Sequence, residues 1–310
     1  MPELSIVVPS HSRRLRLRWL LNALEEQTLE RDRFEVIVAT TTPEIAAIVR
    51  DHPLGARHVH PHASGPAAQR NAGWRAAQAP LVLFTDDDCR PDEHWAERML
   101  AVAAAHPGAI VQGATRADPY EWGVGSSPHA RTLEVVPPGP FAQTCNILYP
   151  REVLEACDGF DEGFPGAAGE DLDLALRAWE RGTAYVGAAD ALVYHAVEAN
   201  SLPEAVRMAS KWGPIAYLVK RHPRLRRDHR YPLGIFWRRT HAWLALALLG
   251  ALVRRPVLVL PYLWTTATRR GTTRREVVAG VLELPGRTIV DGAELVALAR
   301  ASAEQRTLVL

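Results

Sequence analysis

The chain has 310 residues, 47% hydrophobic and 23% charged, an ordinary globular composition long enough for one large domain or two modest ones. Its three cysteines, Cys89, Cys145 and Cys157, form no CxxC pair; the odd count argues against a disulfide framework and fits a reducing compartment. The net charge of +1 conceals a split: residues 1–206 carry 17 Arg against 29 acids, residues 207–275 carry 16 Lys/Arg against Asp228 alone, and residues 276–310 carry three Arg against five acids.

The N-terminal "MPELSIVVPS" reads as a strand leading into a turn rather than as a signal peptide, and the expected location is cytoplasmic. Leu4–Ser10 is a short β-branched run of the buried parallel kind. Leu17, Leu20, Leu21 and Leu24 then recur at helical spacing between Arg13 and Gln27. Phe34–Thr40 is a second buried strand, Ile45–Arg50 a short helix and "ARHVH" a weak third strand. Ser64–Gln78 is an Ala-rich helix, "PLVLFTD" the next strand and "HWAERMLAVAAAH" another helix. Strand and helix alternate to about residue 105, which predicts an α/β fold with a doubly wound, mostly parallel sheet. Residues 106–150 break the pattern and read as loops with mixed strands. Beyond them lie a helix after Pro150, the Gly-rich run "GFPGAAG", a helix from about Glu170, and a strand in "DALVYHA".

In a doubly wound sheet, ligands bind beyond the carboxyl ends of the strands. Asp86, Asp87 and Asp88 stand at such an end. Alone, they read first as a strand-end turn and only second as carboxylates for a hard divalent cation and a diphosphate. A second acidic pair, Glu170 and Asp171 in "GEDLDLALR", falls in the first turn of a helix. The helix dipole favours carboxylates there and lowers their pKa. The Gly-rich run before them suits a substrate-binding loop.

The tail differs. His241–Val253 is apolar all round, "RRP" interrupts it, and Val257–Trp264 resumes. Neither run reaches the roughly 20 residues a spanning helix needs. Arginines bracket both runs, which suits an interfacial hairpin on anionic headgroups; the plainer reading is a pair of helices packed as core. The basic segment 207–275 therefore has an anionic membrane surface as its expected partner. Nucleic acid is the less expected partner because of the leucine runs.

The ordered set "LSIVVPS", "GPAAQRNAGWRAA", "LVLFTDDD" and "CNILYPREVLEACDGFDEGF" followed by "GEDLDLALR" resembles the family 2 glycosyltransferases of GT-A fold, over roughly residues 3–200. The resemblance implies a GT-A catalytic domain at 1–205 and leaves 206–310 as a basic, apolar helical region. It implies an inverting transfer from a nucleoside-diphosphate sugar to a glycan, lipid-linked or small-molecule acceptor, with Mg²⁺ or Mn²⁺ as cofactor. Carried over, Pro9, Ser10, Arg70, Asn71, Asp86 and Asp87 would bind the nucleotide. Asp86 and Asp88 would be the outer carboxylates of a D-x-D motif, with His195 as a further metal contact. Asp171 would be the catalytic base and Glu170 its acceptor-side partner. Arg177 would support the phosphates or brace its helix.

Two departures stand out. Ala39, Thr40 and Thr41 occupy the place where the family usually carries an Asp for the nucleoside, and Asp158 replaces a commoner Gly. Trp95, Trp122 and Trp179 are expected as core, and Cys145 is given no role. A rival reading, a nucleotidyltransferase, would want a glycine-bearing phosphate loop after the first strand, and "PSHSRRLRLR" has none.

Overall fold

The computed structural model describes residues 1–125 and 127–310. The described chain falls into two compact units. The second is Ser127–Ala130, Phe164–Ala168 and Ala199–Leu310; the first is the rest. The long crossing between them falls after Glu198.

The first unit is α/β. In chain order it runs β1 (Leu4–Pro9), α1 (Arg14–Glu25), β2 (Phe34–Ala39), α2 (Pro43–Asp51), β3 (Arg57–Val59), α3 (Pro66–Ala76), β4 (Leu81–Thr85), β5 (Cys89–Pro91) and α4 (Trp95–Ala105). It continues with β6 (Ile110–Ala117), α5 (Trp122–Gly125), β7 (Asn146–Pro150), α6 (Arg151–Ala156), α7 (Glu170–Glu180) and β8 (Tyr185–His195). The eight strands form one sheet in the order β3-β2-β1-β4-β7-β6-β8-β5. The expected parallel winding holds from β3 across to β4. Beyond it the sheet is mixed, because β7 enters antiparallel between β4 and β6.

Local sequence explains these elements. All six residues of β1 are buried, as expected of a strand covered on both faces. Leu17, Leu20, Leu21 and Leu24 of α1 are fully buried in the core on one side of the sheet. Pro66 starts α3 at a position where its missing N–H costs nothing. A Cβ at Gly73 would come within 2.3 Å of Val7 Cγ1, so this glycine lets α3 close down on β1.

The second unit is helical: α8 (Leu202–Ala209), α9 (Pro214–Arg221), α10 (Arg239–Leu252), α11 (Leu260–Ala267) and α12 (Arg274–Gln305). The two apolar runs form α10 and α11, joined by a turn with a 3₁₀ segment at Pro256–Val259. The 32-residue α12 was not foreseen from its residues; it starts at a capping box between Thr273 and Glu276 and continues through Pro285. Among the described residues no helix is long and apolar enough to cross a membrane. Part of the Gly-rich run is not an open loop: Phe164 is buried and meets Tyr217 of α9 edge-on.

One buried amide ties the mixed part of the sheet together. β6 and β8 change register at Gly113/Ala114. Asn146, fully buried at the start of β7, donates to Ala114 O at 2.8 Å and Ala191 O at 2.9 Å, and accepts from Trp95 Nε1 at 2.8 Å. Gly113 has no room for a Cβ beside this amide. Removing it leaves a buried indole N–H and two carbonyls unpaired, each a loss of roughly 1–3 kcal/mol. Asn146→Ala is therefore expected to lower stability by about 3 kcal/mol in urea unfolding. A midpoint unchanged from the wild type would remove Asn146 from this role.

Candidate functional site

The site forms at the carboxyl ends of β1 and β4. β4 ends at Thr85, the three aspartates make a tight turn, and the chain returns as β5. β5 pairs antiparallel with β8, setting Cys89 opposite His195, and Ala196 N–H donates to Asp88 O at 3.0 Å. This short strand, too brief to read from sequence, is what brings His195 to the aspartate turn.

The three aspartates have three different surroundings. Asp86, a quarter exposed, accepts from Arg70 Nη2 at 3.0 Å. Asp87 is turned into the protein, accepting from Ser10 Oγ at 2.7 Å and Arg13 Nη1 at 3.1 Å; burial pushes its carboxyl up to about 6. Asp88 is buried and pairs through Oδ2 with Arg13 at 3.1 Å. Its Oδ1 has no hydrogen-bond partner and faces His195 Nε2 at 3.6 Å.

His195 Nδ1 lies 2.9 Å from Ala196 O. A carbonyl only accepts, so Nδ1 carries a proton, and the neutral form of this ring turns a bare Nε2 toward Asp88. Two acceptors facing each other in a buried site fit a cation, and a histidine whose far nitrogen is held by a backbone carbonyl is the usual support for a metal ligand. The third donor nearby is Cys89 Sγ. Burial pushes that thiol up, so it stays protonated, and a hard cation favours oxygen in any case.

The second acidic pair comes from α7. Gly169 precedes it at φ +97°, a left-handed turn that suits glycine. Arg70, buried in the middle of α3, joins the two groups: Nη2 to Asp86, Nη1 to Glu170 Oε1 at 3.0 Å and to Asp171 Oδ1 at 3.4 Å. Thr144 N–H donates to Asp171 Oδ2 at 3.1 Å. Burial, helped by the Asp171 charge and opposed by Arg70, pushes Glu170 up to about 7. Asp171 is also raised, by burial against the pull of Arg70. The lowering expected from the helix dipole is thus outweighed.

Other expectations are redirected. Asn71 is taken up by the protein: its amide donates to Phe160 O and Glu162 Oε1 and its oxygen accepts from Trp74 Nε1 and Phe160 N–H. Buried and with these four bonds made, it has nothing left for a nucleotide. Arg177 braces its helix, bonding Asp173 Oδ2 at 2.8 Å, Gly159 O at 2.7 Å and Cys157 O. Asp158 adopts φ +54°, the left-handed turn that a commoner glycine would take more easily. Pro9 closes β1 beside the site, and Ser10 O accepts from Gln69 Nε2 at 2.7 Å. Where an Asp was missing, Thr40 Oγ1 accepts from Thr42 N–H at 3.0 Å.

Trp95 is fully buried, and Trp179 packs on Tyr185. Trp122 is 81% exposed on the short α5, so the expectation of core packing fails there. The site residue that sequence reasoning missed is Arg13, which contacts Asp87, Asp88 and Glu198, all at 3.0–3.1 Å. Its signal was the run of arginines directly after the first strand. A cavity of about 760 Å³ lies at the opposite end of the strands beside Glu3, Leu81 and Pro150 and takes no part in this site.

Comparison with known proteins agrees with this geometry. The family model "Glycosyl transferase family 2" matches residues 5–158, about half of the chain. The Pre-mycofactocin glycosyltransferase of Mycobacterium tuberculosis is 32% identical over 223 residues, 66% of this chain and 44% of that protein. The chain spans about half the length of the curated relatives it matches. Among solved structures, the mannosyltransferase PcManGT from Pyrobaculum calidifontis in complex with GDP-Man and Mn²⁺ aligns with a TM-score of 0.54 at 20% identity, covering 98% of this chain and 87% of that one. S. aureus TarS 1–349 in complex with UDP-GlcNAc aligns at 0.55 and 16% identity, covering 99% and 93%. These likenesses show a GT-A-like fold, and the family match supports a family 2 glycosyltransferase.

The raised Glu170 carboxyl sets a sign for stability. Between its unfolded value of 4.5 and about 7, the folded state holds a proton that the unfolded chain has lost. Stability from this group is therefore lost as pH rises through that window. Glu170→Gln keeps the neutral shape at every pH. The wild type is expected to lose stability relative to Glu170→Gln between about pH 4.5 and about pH 7, read by urea unfolding in metal-free buffer. A pH-independent difference would contradict the assignment.

Proposed function

We propose that this chain, whose residues 5–158 belong to glycosyl transferase family 2, moves a sugar from a nucleoside-diphosphate donor to an acceptor hydroxyl, with inversion at the anomeric carbon and with Mg²⁺ or Mn²⁺ bound. The acceptor hydroxyl belongs to a glycan, a lipid-linked sugar or a small molecule. The observation that carries the reading is the single buried Arg70 that joins Asp86 to Glu170 and Asp171. It makes one site of two acidic motifs that are 82 residues or more apart in the chain.

Asp88 and Asp86, with His195 Nε2, would hold the cation; the partnerless Asp88 Oδ1 beside that nitrogen supports the fit. A divalent cation there supplies charge that neutralises the departing nucleoside diphosphate. Asp87 and Ser10, locked to each other, keep the turn rigid on the donor side. Arg13 adds a fixed positive charge on the same rim.

Asp171 is the base. Thr144 N–H and Arg70 fix its two oxygens, and burial raises its affinity for a proton, which suits a base working near neutral pH. As the acceptor oxygen bonds to the anomeric carbon, its proton passes to the Asp171 carboxylate. The bond from that carbon to the phosphate oxygen breaks on the opposite face, and the pair leaves with the nucleoside diphosphate. The carbon passes through oxocarbenium character, as in glycoside hydrolysis. Glu170, sharing Arg70, stands beside the base as its acceptor-side partner.

A panel of nucleotide sugars with Mn²⁺ or Mg²⁺, scored by released nucleoside diphosphate, tests the activity; no release from any donor would refute it. Asp171→Asn is expected to cost about 10²–10⁴-fold in kcat while nucleotide affinity is kept. Asp88→Ala is expected to lose both activity and metal-dependent nucleotide binding in calorimetry. Equal nucleotide affinity in Asp88→Ala would sink the metal assignment.

A further inference from the structure

In the second unit, α10, α11 and α12 bury several polar side chains against one another while several large apolar side chains stand exposed. His241, fully buried on α10, bonds Glu294 Oε2 of α12 at 2.9 Å, and Arg238 pairs with the same carboxylate at 3.0 Å. Tyr262 of α11 donates to the buried Asp291 of α12 at 3.0 Å, and Thr266 is buried nearby in chain on α11. The apolar cluster among these helices is small: Leu244, Ala247 and Tyr262, with Val259 and Leu295 against it.

The opposite holds outside. Leu248, Leu252, Val257, Leu260, Trp264 and Leu282 are each more than half exposed. From Leu248 to Val257 only Gly250 is buried. A protein that meets only water seldom exposes such a tract. Helices that meet lipid face their ionisable groups toward one another and their apolar groups outward.

Charge and length narrow the occupant. Arg254 and Arg255 follow α10, Arg269 follows α11, and Arg274 and Arg275 open α12, all five exposed; Arg270 is instead held by Glu283 at 2.6 Å. A second copy on this surface would bring like charges together, whereas anionic headgroups would receive them, each at a gain of about 1 kcal/mol. α10 has 14 residues and α11 has eight, too few for the roughly 20 that cross a bilayer. Arginines at the helix ends suit helices lying flat, with the guanidiniums reaching up to the headgroups.

We propose that α10, the turn after it, α11 and the first half of α12 form a surface that lies in the plane of one anionic lipid leaflet without crossing it. This goes beyond the sugar-transfer reading and does not depend on it, since nucleoside diphosphate release is measured without lipid.

The test is flotation of the full chain with phosphatidylcholine vesicles, with and without about 30% phosphatidylglycerol. The chain is expected to float with the anionic vesicles, and weakening is expected in high salt. Leu252→Glu with Trp264→Glu is expected to weaken vesicle binding roughly tenfold or more. Arg254→Gln with Arg255→Gln, Arg274→Gln and Arg275→Gln is expected to do the same on anionic vesicles only. An unfolding midpoint like the wild type's in either variant set keeps the comparison valid, and the two sets alter the surface by different chemistry. Failure of the wild type to float overturns the proposal. So does floating that neither set weakens. A lipid-free dimer that Leu252→Glu and Trp264→Glu dissolve, in a chain that ignores vesicles, would assign the surface to a second copy instead.

Discussion

A guanidinium buried among three carboxylates holds the acidic site of the first unit together. Arg70 reaches Asp86 with one nitrogen and Glu170 and Asp171 with another. Without it, the turn after β4 and the first turn of α7 would repel each other in a poorly solvated space. With it, one of their negative charges is balanced within the fold. Arginine suits the position because its planar fork serves several oxygens at once and keeps its charge when buried. A buried ion cluster of this kind is weak evidence for stability. It is better evidence of a site whose geometry matters more than its contribution to folding.

Asp171 illustrates how competing effects are decided by size. A helix N-terminus stabilises a carboxylate by about 0.3–1 kcal/mol at an exposed position, up to about 2 when partly buried. Burial can move a carboxyl by several pKa units. The first effect follows from position in the helix and is visible in "GEDLDLALR". The second follows from what surrounds the helix and is visible only in the folded chain, where it wins.

The same division runs through the rest of the molecule. β1, β2 and β4 were legible as continuous apolar runs and α1 by its apolar spacing, because burial sets both patterns. β5 was not, since three residues, Cys89–Pro91, carry no period, and with it went the approach of His195 to Asp88. Nor was α12, whose apolar residues do not gather on one stripe; its start is a local cap, but its length depends on packing with other helices. Among the site residues, type and position identified the carboxylates. The partners each would choose were hidden: Asn71 turned to Phe160 and Glu162, while Arg13, passed over among several arginines, came to the aspartates. Hydrogen-bond choice is a tertiary property, and a sequence shows only the capacity for it.

The reversed direction of β7 has an effect on the polarity of the site's rim. Parallel strands end in carbonyl oxygens at the edge where ligands bind, so such an edge is rich in acceptors. β7 runs the other way beside β4 and delivers the amide end of its segment to that edge. The N–H of Thr144, two residues before β7 begins, is the group that grips Asp171. The contact belongs to the main chain and arrives with the direction of a strand. In this protein, the topology of the sheet is itself a source of positive dipole for an otherwise acidic pocket.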